Sequence, residues 1–210
     1  MFAATLPGIA VAQSRCSAYK IKAAAKKGAC IAKEYAHAAQ SNAAPQQGDI
    51  DACVAKFEAT FAKLDLKGDC PTTADAPAIE AKVDGFVADL VTELDSGNPS
   101  LCQAYKMRAA AKKAKCLLYV EAKEAQYGAA VDPLKFQACR DKFAARFAGL
   151  EVKDNCDTTG DAAVIEAKVD AFVTDVEGEI PATTTTTTAE ATTSITDTVT
   201  TTTETTTTLP

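Results

Sequence analysis

Eight cysteines and two runs of lysine are the residues of this chain whose types and spacing carry chemistry. Cys16, Cys30, Cys53 and Cys70 are separated by fourteen, twenty-three and seventeen positions, and Cys102, Cys116, Cys139 and Cys156 repeat those intervals without a slip. Thiols ligate metals, act as nucleophiles or redox centres, or are oxidised to disulfides. Ligation is the competing reading, but it favours closely spaced C-x-x-C pairs with histidine nearby. The chain has no such pair and 1 histidine, His37. Redox catalysis asks for the same vicinal arrangement. An even count in fixed register reads instead as a disulfide framework made in an oxidising compartment.

Geometry selects the pairing. Cys16 and Cys30 share one helical pattern, so they stand roughly 21 Å apart along its axis, beyond the reach of a disulfide. In an antiparallel hairpin, bonded residues are symmetric about one turn. Cys16–Cys70 and Cys30–Cys53 are both centred beside the turn around Pro45, whereas the crossed pairs have centres on either side of it. The expected bonds are therefore nested: Cys16–Cys70 around Cys30–Cys53, and Cys102–Cys156 around Cys116–Cys139.

The lysines lie between the first two cysteines of each set, in Cys16-Ser-Ala-Tyr-Lys-Ile-Lys-Ala-Ala-Ala-Lys-Lys-Gly-Ala-Cys30 and Cys102-Gln-Ala-Tyr-Lys-Met-Arg-Ala-Ala-Ala-Lys-Lys-Ala-Lys-Cys116. Lys20, Lys22, Lys26 and Lys27, with Lys106, Arg108, Lys112 and Lys113, form a candidate anion-binding set, the ligand being an acidic glycan or envelope material. Anion binding is the alternative; the favoured reading pairs these lysines, as flanks of the first helix, with the carboxylates Glu80, Asp84, Asp89 and Glu93 of the third. Exposed pairs of that kind orient helices and contribute under ~1 kcal/mol each.

The elements that position these groups follow from periodicity. Aligning each residue with the one eighty-six positions later matches about half the positions without a gap, the signature of a unit used twice. The fold class is all-α: two tandem three-helix modules, each a disulfide-stapled hairpin plus a third amphipathic helix, followed by a disordered tail. The first helix is expected from Ser14, whose counterpart Ser100 is also a good N-cap, to about Gln40. The second carries Cys53, Phe57, Phe61 and Leu64 at three- and four-residue steps. The third carries Ile79, Val83, Phe86, Val87, Leu90 and Leu94. A further face of the first helix, Ile21, Ala24, Ala25, Gly28 and Ala32, suits a central strut between helices two and three. Its alternative use is to pack another module or another copy of the chain.

The expected boundaries are 1–12, a signal-peptide remnant ending in Ala10-Val11-Ala12; 13–96 and 97–181, the two repeats; and 182–210, a threonine-rich tail too poor in apolar surface to fold. Such hydroxyl-rich tracts suit O-glycosylated stalks. A net charge of -6 argues against nucleic-acid partners. No stretch after the first dozen residues approaches the ~20 apolar residues of a membrane span. No catalytic constellation, phosphate loop or cofactor motif is present, so neither catalytic residues, metal nor cofactor is expected. The tandem Cys–Ala/Lys–Cys helical units with a threonine tail resemble exported helical repeat proteins of bacterial type. The nested hairpin is similar in outline to twin-CX9C hairpins, though its spacings of fourteen and seventeen depart from theirs. Neither resemblance implies a site. The expectation is a non-enzymatic, secreted or cell-surface structural or interaction protein whose partners are other surface proteins, glycans or further copies of itself.

Overall fold

The structure is a computed structural model and describes residues 7–97, 99–153 and 156–180. These form six helices: α1 Pro7–Ser41, α2 Gln47–Asp65, α3 Ala76–Leu94, α4 Leu101–Tyr127, α5 Pro133–Glu151 and α6 Ala162–Glu179. No strand occurs among the described residues. The threonine tail expected at 182–210 lies outside them, as do residues 1–6 of the expected signal remnant.

α1 begins at Pro7, not near Ser14, and runs 35 residues. A proline is well placed in a first helical turn, and no second proline follows it before Ser41. Ala10-Val11-Ala12 therefore lies within α1. The helix ends where Asn42 takes a left-handed φ of 51°, and α4 ends alike at Gly128, φ 64°. Ser100 caps α4 by accepting the Gln103 N–H at 3.1 Å, and Asp132 caps α5 through the Leu134 N–H at 3.0 Å.

α1, α2 and α3 run up, down and up; α4, α5 and α6 do the same. The helices form two layers. α2, α1, α4 and α5 lie side by side in one layer, and α3 and α6 pack together behind α1 and α4. α1 and α4 are antiparallel and in contact along their lengths. Lys22 donates to Gln126 at 3.3 Å at one end, and Arg108 donates to Gln40 at 3.0 Å at the other. These two contacts are counterparts under the eighty-six-residue offset, as are Phe86 and Phe172, which stack at 4.2 Å with planes 6° apart. α1 touches both α2 and α3, as a central strut would, and it also packs along α4 of the other half. Gly28 lies where α1 approaches both back helices: a Cβ there would sit 3.6 Å from Val83 and 3.9 Å from Phe172.

The core is thin but continuous. Alanines of α1 and α4 interleave with Phe57, Phe61, Phe143 and Phe147 of the outer hairpin helices and with the Ile, Val and Leu stripes of α3 and α6.

Candidate functional site: the two lysine faces of the long helices

The four disulfides are nested: Cys16–Cys70 and Cys30–Cys53 in the first half, Cys102–Cys156 and Cys116–Cys139 in the second. Their Cα atoms are 5.2, 5.9, 5.1 and 5.8 Å apart, an ordinary span for such bonds. No free thiol remains among the described residues.

The eight cations of the candidate anion-binding set separate into two groups. Lys20, Lys27, Lys106 and Lys113 are buried, which corrects their reading as solvent-facing groups. Lys20 Nζ lies 2.8 Å from Asp65 and 2.6 Å from Asp75 and donates to the Thr72 carbonyl at 2.8 Å. Lys106 does the same with Glu151 at 3.0 Å, Asp161 at 2.6 Å and the Thr158 carbonyl at 2.7 Å. Lys27 takes Glu80 at 2.7 Å and Asp84 at 2.8 Å; Lys113 takes Glu166 at 2.7 Å and Asp170 at 2.9 Å. Each ammonium also sits over a phenylalanine ring, at 5.3 Å for Lys20 on Phe61, 5.2 Å for Lys27 on Phe57, 4.9 Å for Lys106 on Phe147 and 5.3 Å for Lys113 on Phe143. The alanines around them leave room for the four-carbon stems, so these side chains thread through the core as apolar rods with a charged tip.

The loops before α3 and α6 are folded by the same knots. Asp75 occupies the N-cap position of α3 without capping it, because its carboxylate is taken by Lys20 and, at 2.7 Å, by the Thr72 hydroxyl. Asp161 before α6 repeats this. Burial alone would raise its pKa, but hydrogen bonds from Lys106 and Thr158 outweigh that and hold it below the usual carboxylate value. Asp65 also accepts the backbone N–H of Ala74 at 3.2 Å, and Glu151 that of Gly160 at 3.0 Å.

The remaining four cations, Lys22, Lys26, Arg108 and Lys112, point outward from the α1–α4 layer, on the side away from α3 and α6. Lys33 and Lys115 join them there, and Ala29 and Ala111 floor a groove of about 450 Å³ between Lys33, Arg108, Lys112 and Lys115. Two further grooves, of about 260 and 390 Å³, run between α1 and α2 and between α4 and α5, and these add Lys56 on one side and Lys142 and Arg146 on the other. His37 is exposed beside this face, and so is its counterpart Lys123.

One polar cluster has no counterpart in the first half. Glu121 of α4 meets Glu177 of α6, with Glu124 close by, where the corresponding residues are Tyr35, Val91 and Ala38. Burial and the neighbouring carboxylates push the Glu121 carboxyl up to about 8, and burial with Glu124 also raises Glu177. Sequence periodicity gave no sign of this meeting, because it depends on how α6 lies against α4.

No group of three or more His, Cys, Asp or Glu among the described residues is arranged to hold a metal ion, and no helix there is long and apolar enough to cross a membrane. No family model, curated protein or solved structure matches the chain.

Proposed function

We propose that the protein is an extracytoplasmic structural or interaction module, secreted or held at the cell surface, that acts by binding and not by catalysis. It consists of two copies of a three-helix unit joined face to face, with the first dozen residues serving export and the threonine-rich tail serving as a stalk. The observation that carries this reading is the disulfide frame: all eight cysteines are spent on bonds that tie α1 to α2 and α4 to α5. Such a frame persists where thiols are oxidised. The buried ionisable groups point the same way, since Lys20, Lys27, Lys106 and Lys113 are each committed to two carboxylates.

The test is intact mass with thiol alkylation, before and after reduction, on protein recovered from its native compartment. The expected result is no alkylation before reduction and eight sites after it, in an extracytoplasmic fraction. Free thiols in a chain retained in a reducing compartment would overturn the proposal.

A further inference from the structure

The outward arc of the α1–α4 pair is basic and carries no carboxylate, although the chain as a whole has a net charge of -6. On α1 its cations are Arg15, Lys22, Lys26 and Lys33; on α4 they are Arg108, Lys112, Lys115 and Lys123. All are exposed or half-buried. Glu34, beside the arc, is largely covered and paired with Lys33 at 3.2 Å. The exposed acids lie on the other helices, Asp51 and Glu58 on α2, Asp141 on α5, Asp84 and Asp89 on α3 and Asp175 on α6. The α1–α4 arc is therefore a basic strip flanked by helices that carry acids, and an approaching anion is drawn to it.

The shape of that face selects among anions. Its cations do not converge on a point, as a small anion would require. Lys22 to Lys33 alone extends roughly 17 Å along α1, and α4 continues the row antiparallel across a groove floored by Ala29 and Ala111. This is the geometry of contact with repeated charges on an extended polymer. Tyrosines stand among the cations: Tyr19 lies 5.4 Å from Lys22, Tyr105 5.7 Å from Arg108 and Tyr119 5.7 Å from Lys115. An aromatic ring with a hydroxyl at its rim offers a flat apolar surface for the C–H face of a sugar and a polar group for its hydroxyls. The arc lacks a band of large apolar side chains to enter a lipid interface.

We propose that this face binds an acidic linear polysaccharide, lying along the α1–α4 groove with its charges on Lys26, Lys33, Arg108, Lys112 and Lys115. This rests on the reading of the protein as an extracytoplasmic binding module and names the chemistry of its partner.

The experiment uses the full chain with its disulfides intact, against immobilised polygalacturonate and dextran sulfate, with uncharged dextran as the blank. Binding is expected to the charged polymers at low ionic strength, weakening steadily with added salt. Lys112→Gln/Lys115→Gln should weaken it by about fivefold or more, whereas Lys82→Gln/Lys168→Gln, which removes equal charge at the α3–α6 seam, should leave it within about twofold. Absence of binding at low salt would overturn the inference. Equal weakening by both variants would also overturn it, by making net charge and not this face the cause. Single-stranded DNA or anionic phospholipid vesicles binding as tightly as the polysaccharides, with the same dependence on Lys112 and Lys115, would overturn the choice of partner. None of these outcomes touches the thiol and compartment measurement, so the binding claim and the broader reading fail separately.

Discussion

A lysine whose charge is buried under a phenylalanine differs from its neighbour in solvent only by its place on the helix. Lys27 and Lys26 are adjacent, yet one is buried between Glu80 and Asp84 and the other is exposed. Removing one member of a buried ion pair leaves the others uncompensated, at a cost of about 3–5 kcal/mol in well-buried cases. Here the carboxylates keep some solvent, so Lys27→Met is expected to destabilise by about 2–3 kcal/mol and Lys26→Met by under ~0.5 kcal/mol, read from urea denaturation without reductant. Equal effects of the two changes would contradict the burial. The two halves also correct each other. Ala74 adopts a left-handed φ of 59° where its counterpart is Gly160 at 76°, and Gly28 is helical where its counterpart is Ala114. Ala74→Gly should relieve left-handed strain and stabilise by about 0.5–1 kcal/mol after the entropy of glycine is counted. Gly28→Ala should add about 0.5–1 kcal/mol, since its methyl would meet Val83 at ordinary contact distance. The same denaturation curves check both.

Among the elements, the decisive seams are α1 with α4 and α3 with α6. Phe86 and Phe172 stack at the centre of the second, and truncating either to alanine should cost about 3–5 kcal/mol. The double variant should cost less than the sum, because each ring buries the other; strict additivity in the double-mutant cycle would argue against the stack. The α4–α6 contact adds a dependence on pH. The Glu121 carboxyl is raised to about 8 in the folded chain, so between the ordinary carboxylate range and that value the native state holds a proton that the unfolded state has released. Stability therefore falls as pH rises through this window and is fully present below it. The urea midpoint should be higher at pH 5 than at pH 8, and Glu121→Gln should remove much of that difference. An unchanged difference in the variant would locate the effect elsewhere. The nested disulfides were legible in the sequence, because symmetry about a turn is a property of spacing alone. The depth of Lys20 and Lys106 was not, since an alanine–lysine helix shows the same pattern whether a stem is solvated or threaded under its neighbours. Nor was the partner of the Ile21–Ala32 face: small residues announce close approach but do not say to what.

On the scale of the whole molecule, charge is sorted by helix. Helices α1 and α4 present cations outward without exposed acids, whereas α2, α3, α5 and α6 carry exposed acids, among them Asp51, Glu58, Asp84, Asp89, Asp141 and Asp175. α3 and α6 also hold the two cross-pairs Lys82–Asp175 and Lys168–Glu93, at 3.8 and 3.6 Å. The all-α class and six helices were readable from apolar periodicity, and the turns at Pro45 and Pro133 from their breakers. The sorting was visible only in part, because exposure on α1 depends on α4, and two antiparallel helices leave no joint signature in a chain read from end to end. Phe86 meets Phe172, its own counterpart, across an approximate two-fold axis. In a homodimer with that arrangement every change would appear twice, once on each side, and a change that suits only one environment would be forced on both. Covalent linkage of the halves removes that constraint. Glu121, Glu124 and Glu177 gather in the second half alone, and Lys115 adds its charge to the outward groove where the first half has Ala29. Two halves on one chain are thus free to differ, as the Glu121 cluster and Lys115 do.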